Sequence, residues 1–293
     1  MRRIRSHLAY AKLMVTILAF IAWILVGVIP GSAQAVLGGG ADGNGHPNVG
    51  LLAGYDELGL SYTCSGTLVS QTVFITAAHC LPGPEIGNPT EIRVSFNSHY
   101  ALGTDQFGPF PIVDTYLHGV PHANPAWDGT QPFDATWVSN DLGVMVLDRP
   151  ASDVFPGITP ARLPGKGYLN AVAGNDKGDF EIVGYGLQRL RNRPTDPGDF
   201  PDWTRRHAVL QFKKLYAPSA LSLRGSPNSS SPSGSGSGCS GDSGGAVFDR
   251  NVLAGVISGV NAYQKVFCKN ETYAARLDTA SARSFLAGFV TLP

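Results

Sequence analysis

The chain has 293 residues, 43% of them hydrophobic and only 15% charged, with 36 glycines and 21 prolines. That length can bury one large core or two small ones, and the glycine and proline content suits a loop-rich β protein. Lysines plus arginines balance aspartates plus glutamates at 22 each, but Arg2, Arg3, Arg5 and Lys12 all fall in the first 35 residues; the remaining 18 basic against 22 acidic groups speak against a nucleic-acid or anionic-membrane partner.

Residues 1–35 have the tripartite form of a secretory signal. The four basic residues precede an apolar run from Leu13 to Ile29, and Ala33-Gln34-Ala35 is a small-x-small cleavage site. The run borders on membrane-spanning length, so an uncleaved anchor is the alternative. Pro30-Gly31 and the Ala-Gln-Ala site favour cleavage. The expectation is a secreted protein beginning at Val36, with no stable membrane association afterwards.

From Val36 onward, short apolar runs alternate with turn signals, and long-range helical periodicity is scarce. Strands are expected at Val49–Ala53, Ser61–Val69, Val73–Thr76, Ile92–Phe96, Ile112–Leu117 and Leu142–Leu147. Six strands of this length suit a small closed barrel, which leaves no sheet edge. Asp105 to Ser139 reads as a surface insertion. Its His118-Gly119-Val120-Pro121-His122 invites a metal reading, but glycine and proline make a shared helical face implausible. His46, His99 and His207 lack motif context and read as surface or loop residues.

Asp148 to Gly167, with four prolines, reads as a connector. Beyond it, strands are expected at Glu181–Tyr185, His207–Tyr216, Ala220–Leu223, Ala246–Asp249, Leu253–Ser258 and Tyr273–Leu277. Asn175 to Asp179 lacks the rest of a calcium-loop pattern and reads as a hairpin turn. Gly225 to Gly238 is a Ser/Gly-rich stretch expected to be mobile. Asn228 and Asn270 head glycosylation sequons, meaningful only in a eukaryote. Asp278-Thr279 resembles a helix N-cap, with a short closing helix from Ala280 to Phe289. The division is a signal at 1–35, one barrel over 36–155 and a second over 156–293.

The chemistry concentrates in Cys239-Ser240-Gly241-Asp242-Ser243-Gly244-Gly245-Ala246-Val247. Glycines bare the backbone, so the N–H groups of Gly241 and Ser243 can approach one substrate carbonyl as an oxyanion hole. Such clusters are usually only turns. Two upstream segments change the reading: Thr76-Ala77-Ala78-His79-Cys80 after an apolar run, and Asn140-Asp141-Leu142 opening another. Together the three resemble the chymotrypsin-like (trypsin-fold) serine peptidases, over nearly the whole chain after residue 35 and in that family's order of His, Asp, Ser. The resemblance implies His79 as general base, Asp141 as its orienter and Ser243 as nucleophile. It also implies an all-β fold of two six-stranded antiparallel β-barrels with a short C-terminal helix.

Further implications follow residue by residue. Val36-Leu37-Gly38-Gly39 looks like the family's mature start, whose freed ammonium pairs with the aspartate before the nucleophile, here Asp242; signal cleavage alone would then activate the enzyme. Four cysteines in an exported chain point to disulfides, with three possible pairings. The resemblance selects Cys64–Cys80 and Cys239–Cys268. No two cysteines have the spacing of a zinc ligand pair, and neither metal nor cofactor is expected. Ser237 falls at the floor of the family's primary pocket, which argues against basic specificity. Ser258-Gly259-Val260 resembles the substrate-pairing edge, with Val260 narrowing the pocket toward small or medium apolar side chains. Glu271 lies near another pocket wall, and pointing inward it would admit a basic side chain. The partners implied are protein or peptide substrates, and the enzyme itself is expected to be a monomer.

Two rivals bear weighing. Gly241 to Gly245 also fits G-x-S-x-G, but an α/β-hydrolase needs a histidine after the serine, and none follows His207. A non-catalytic binding protein on a peptidase scaffold is the stronger alternative.

Overall fold

The computed structural model describes residues 36–105, 108–130, 133–175, 178–187, 202–216, 220–225, 236–260, 268 and 271–293. The signal-like segment, most of the Ser/Gly stretch, Asn228 and Asn270 lie outside them. The strands in chain order are β1 (Gly40–Ala41), β2 (Val49–Asp56), β3 (Gly59–Ser70), β4 (Val73–Thr76), β5 (Glu91–Ser95), β6 (Leu102–Asp105), β7 (Gly108–Pro111), β8 (Gly119–Ala123), β9 (Gly143–Leu147), β10 (Asp179–Gly184), β11 (Arg206–Tyr216), β12 (Ala220–Arg224), β13 (Ala246–Asp249), β14 (Val252–Val260) and β15 (Glu271–Arg276). Three short helices join them: α1 (Ala135–Asn140), α2 (Tyr168–Asn175) and α3 (Ala280–Leu286).

The all-β architecture of two antiparallel barrels with a closing helix is present. The first sheet runs β5-β2-β3-β4-β9-β8, its ends drawn together by paired backbone bonds between Val94 and Leu117 at 2.9 and 2.8 Å. The second runs β11-β10-β13-β14-β15-β12 and closes on itself through β11–β12 pairing, with β1 added outside β11 as a seventh strand.

The strands read as unbroken apolar runs because both of their faces are buried. Alternation survives, but between two cores. Leu52, Phe74 and Met145 point into the first barrel, whereas Val49, Leu51, Val73, Ile75 and Val144 point out of it. There they meet Val183, Tyr185, Ala246 and Val256 of the second barrel, whose own interior takes Ile182, Val247 and Ile257. The interface between the barrels is therefore the largest shared apolar core.

Buried Arg205 ties the segment after β1 to both barrels. Its guanidinium donates to Asp42 at 2.8 Å and to the carbonyls of Gly43, Val49 and Phe96 at 2.8 to 3.1 Å. A buried cation needs this full set of acceptors.

Two expectations require correction. The strand placed at Ile112–Leu117 lies instead at β8, because that later segment is the one whose backbone pairs with β9. Pro121 is tolerated there since β8 is an edge strand. The Asn175 to Asp179 segment follows a helix, α2, and so is no hairpin between strands. His46 sits in a loop and His207 is partly exposed on β11, as expected; both reach Glu181, and His46 also pairs with Asp42. The insertion contains β7, which pairs with β6 just before it in a separate two-stranded sheet, and most of α1. Within it, His118 and His122 go to different partners: His118 Nε2 meets Glu91 at 2.8 Å, and His122 packs on Phe289.

Candidate active site

His79 lies in a single 3-10 turn, Ala78–Cys80, directly after β4, and the Cys64–Cys80 disulfide fastens that turn to β3. Asp141 arrives from the other direction. Asp134 caps α1 by accepting from the N–H groups of Thr136 and Trp137, and the helix ends at Asp141, whose N–H donates to the Trp137 carbonyl. This short helix delivers the carboxylate to the histidine.

The two meet twice. The backbone N–H of His79 donates to Asp141 Oδ1 at 2.9 Å, and His79 Nδ1 lies 2.7 Å from Oδ2. An ionised carboxylate only accepts, so Nδ1 carries the proton and Nε2 is left as the basic nitrogen. Ser258 donates its hydroxyl to Asp141 Oδ2 at 2.6 Å. The carboxylate has no solvent exposure and is held by three donors. Burial works against the charged imidazolium, but the charge and hydrogen bond of Asp141 outweigh it and raise the His79 pKa above its ordinary value. The Trp137 ring stacks on the imidazole, centroids 5.5 Å apart.

The Ser243 loop is built from consecutive tight turns. Asp242 N–H donates to the Cys239 carbonyl at 3.0 Å, and Gly245 N–H to the Asp242 carbonyl at 2.8 Å. Gly241 and Gly244 have φ of +92° and +80°, a region side chains disfavour, and a Cβ on Gly244 would lie 2.2 Å from Ser65 O. The loop is anchored to β14 by Gly244 N–H to the Ile257 carbonyl at 2.7 Å, and to β3 by Ser65 N–H to the Ser243 carbonyl at 2.8 Å. The Cys239–Cys268 disulfide fixes its start.

Asp242 is fully buried and accepts N–H groups from Gly186 and Cys239, each at 2.8 Å. Among the described residues no cationic side chain pairs with it, and burial pushes its pKa up to about 7. Val36 is also buried, within the second barrel's core beside Leu169 and Phe180. Leu37 bridges to Ser237, whose N–H donates to the Leu37 carbonyl at 2.8 Å.

Ser237 is buried next to Gly238, whose N–H donates to Thr272 Oγ1 at 3.0 Å. Val260 pairs directly with Thr272 across β14 and β15, so the two side chains share a face. A Cβ added to Gly238 would touch both, at 3.4 Å from Val260 and 3.1 Å from Thr272. Glu271, one residue earlier, points to the opposite face. It pairs with Lys213 and accepts the hydroxyls of Ser222 and Tyr273. The sequence reading missed Thr272, because its pairing with Val260 is a matter of strand register that the local sequence does not record.

Phe133 was missed as well. Its ring, 46% exposed, lies against Gly259, where a Cβ would come within 2.7 Å of it. It touches Trp137 and Tyr273 with centroids 5.1 and 5.7 Å apart. An aromatic shelf thus runs from the histidine toward the β14 edge. Its sequence signal is Asp134 as an N-cap between aromatics four residues apart. Among the described residues, the cluster with metal-ligand atoms in reach is Cys64, His79 and Cys80. Its sulfurs form the disulfide, so they offer no thiolate.

Comparison with known proteins bears on family and fold. The family model described as Trypsin matches residues 39–275. A chymotrypsin from Phaedon cochleariae is 28% identical over 236 residues, spanning 75% of this chain and 73% of that protein. A solved collagenase structure superposes with a TM-score of 0.58 at 17% identity, covering 85% of this chain and 96% of that one. That last likeness is one of fold.

Proposed function

The chain belongs to the trypsin family, and from that premise we propose that it is a secreted serine endopeptidase that cleaves after small or medium apolar residues. The observation that carries this reading is the buried Asp141 carboxylate, which orients His79 through two hydrogen bonds and leaves Nε2 as a base. In the mechanism, Ser243 attacks the scissile carbonyl as His79 Nε2 takes its proton. The negative oxygen of the tetrahedral intermediate is held by the N–H groups of Gly241 and Ser243. The imidazolium returns the proton to the leaving amine, and water then hydrolyses the acyl-enzyme by the same steps in reverse.

Substrate preference is read from Val260 and Thr272, which meet at Gly238 next to Ser237. A valine and a threonine facing each other across β14 and β15 leave little depth and no acid to meet lysine or arginine. The carboxylate of Glu271 is engaged elsewhere with Lys213. The Phe133–Trp137 shelf offers apolar surface to residues preceding the scissile bond.

Activation is read from Asp242. A fully buried carboxylate with only two amide donors is an unfinished ion pair. A cleavage that freed the Val36 amine would supply a cation to a segment already buried beside this loop. Signal removal after Ala35 would do so without a separate propeptide.

The test is intact-mass spectrometry of the exported protein before and after a serine-directed fluorophosphonate. A mass starting at Val36, labelled stoichiometrically and unlabelled in Ser243→Ala, is the expected result. An unlabelled wild type of that mass would make the chain a binding scaffold.

A further inference from the structure

Ser65 lies in β3 beside Cys64, with no exposure to solvent. Its backbone N–H donates to the Ser243 carbonyl at 2.8 Å, a bond any residue but proline would supply. Its hydroxyl adds two that depend on serine. Ser65 Oγ donates to the Gly241 carbonyl at 2.8 Å and accepts from the Tyr185 N–H at 3.0 Å. The Ser65 carbonyl in turn accepts from Thr76 Oγ1 at 2.8 Å. A single residue of the first barrel therefore grips the carbonyls on both sides of Asp242, on the two residues whose N–H groups form the proposed oxyanion hole.

The same strand position also registers the base. Cys64 is bonded to Cys80, the neighbour of His79. Gly241 sits at φ +92° with no side chain to restrain it, so its place must be imposed from outside. We propose that the Ser65 hydroxyl is a positioning residue for the oxyanion hole, locking the Gly241 donor of the second barrel to the strand that carries the histidine loop. This rests on the proposed acyl-transfer mechanism and adds to it a residue that touches no substrate.

The physical case is one of tolerance. Oxyanion donors act only if they already stand where the charge develops, and a misplacement of about 1 Å costs on the order of a hundredfold in rate. Ser65→Ala keeps the backbone bond to Ser243 but leaves the half-buried Gly241 carbonyl and the buried Tyr185 N–H without their partner. The loop remains closed by its disulfide and turns and anchored at Ser243 and Gly244, while the hydroxyl's restraint on the Gly241 carbonyl is gone.

The experiment compares wild type, Ser65→Ala, Ser65→Gly and Ser65→Thr, with Ser95→Ala as control, all normalised by active-site titration. Ser95 is a buried first-barrel serine that donates to the Thr115 carbonyl at 2.6 Å, outside the site. The alanine and glycine variants are expected to lose about ten- to a hundredfold in kcat with KM within about twofold. Affinity for a peptide boronate with a small apolar side chain, which mimics the tetrahedral anion, should fall by a similar factor. The Ser65→Thr variant retains the hydroxyl and should recover most of both; Ser95→Ala should change neither, whatever its stability. If Ser65→Ala does not fold, Ser65→Gly carries the test. Wild-type kcat and boronate affinity in either hydroxyl-free variant would overturn the proposal. An inert wild type would overturn the acyl-transfer reading itself, and this inference with it.

Discussion

Asp141 and Asp242 are both aspartates with no solvent exposure, and the structure treats them oppositely. Asp141 is surrounded by donors: the His79 N–H, the His79 ring and the Ser258 hydroxyl all converge on it. Asp242 has two amide N–H groups and, among the described residues, no cation; its pKa is pushed up to about 7. The same side chain at the same depth is thus either an anchored charge or an unfinished one. Burial alone does not decide a carboxylate's role; the donors brought to it do.

The largest expected effect breaks the finished side. Ser243→Ala removes the nucleophile of the proposed mechanism, and turnover of a peptide substrate should fall by several orders of magnitude with fluorophosphonate labelling abolished. Asp141→Asn should cost on the order of 10⁴ in kcat, because an amide can turn a donor toward Nδ1 and stabilise the wrong tautomer. Retention of most activity in either variant, measured by steady-state kinetics, would remove the catalytic reading.

The unfinished side makes a prediction about stability. With the chain uncleaved at residue 35, Asp242 binds a proton in the folded state up to about pH 7, whereas its ordinary value is 3.8. The folded state then holds more protons than the unfolded state between those values. Stability should therefore fall as pH rises across that window, by on the order of 4 kcal/mol if the whole shift is expressed. Urea midpoints at pH 5 and pH 8 should show this for uncleaved protein and not for protein starting at Val36. Asp242→Asn should flatten the dependence in the uncleaved form and abolish the activation that cleavage brings.

A smaller effect concerns pH and the base. Asp141 outweighs burial and raises the His79 pKa. The neutral imidazole acts, so kcat/KM should rise with pH through a midpoint above 6.5, and Asp141→Asn should lower that midpoint. The stabilisation from protonated His79 has the reverse sense: it is present in full below about pH 6.5 and lost as pH rises through the higher folded-state value. Competence appears as that contribution to stability disappears. The smallest expected change is in selectivity. Val260→Gly or Thr272→Gly should shift preference from small toward larger apolar side chains by about ten- to two-hundredfold in relative kcat/KM, read by profiling a peptide library.

Much of the architecture was legible. Val73–Thr76, Ala246–Asp249 and the N-cap at Thr279 sit where apolar runs and turn chemistry put them. Continuous burial hid the alternation between two cores, but it did not hide the strands. The misplaced sixth strand shows the limit: Ile112–Leu117 has the composition of a strand, yet the edge position went to a segment containing Gly119 and Pro121. Pairing with β9 decided that, and composition does not report pairing. At the site, His79, Asp141 and Ser258 were named from motifs and stand within hydrogen-bonding distance. Glu271 was named from approximate spacing and points away. In a strand, one residue of error reverses the face.

The sequence by itself determined which chemical groups this protein owns: a serine among glycines, a histidine after a strand, aspartates, and four cysteines free to pair in three ways. Tertiary structure alone decided their relations. It set Thr272 opposite Val260, laid Phe133 over Gly259, and carried the Ser65 hydroxyl to the Gly241 carbonyl across a separation of 176 residues. Local periodicity records only whether a side chain is buried. Partnership depends on the register of strands distant in the chain, and on how two barrels, each with its own core, meet along their shared face.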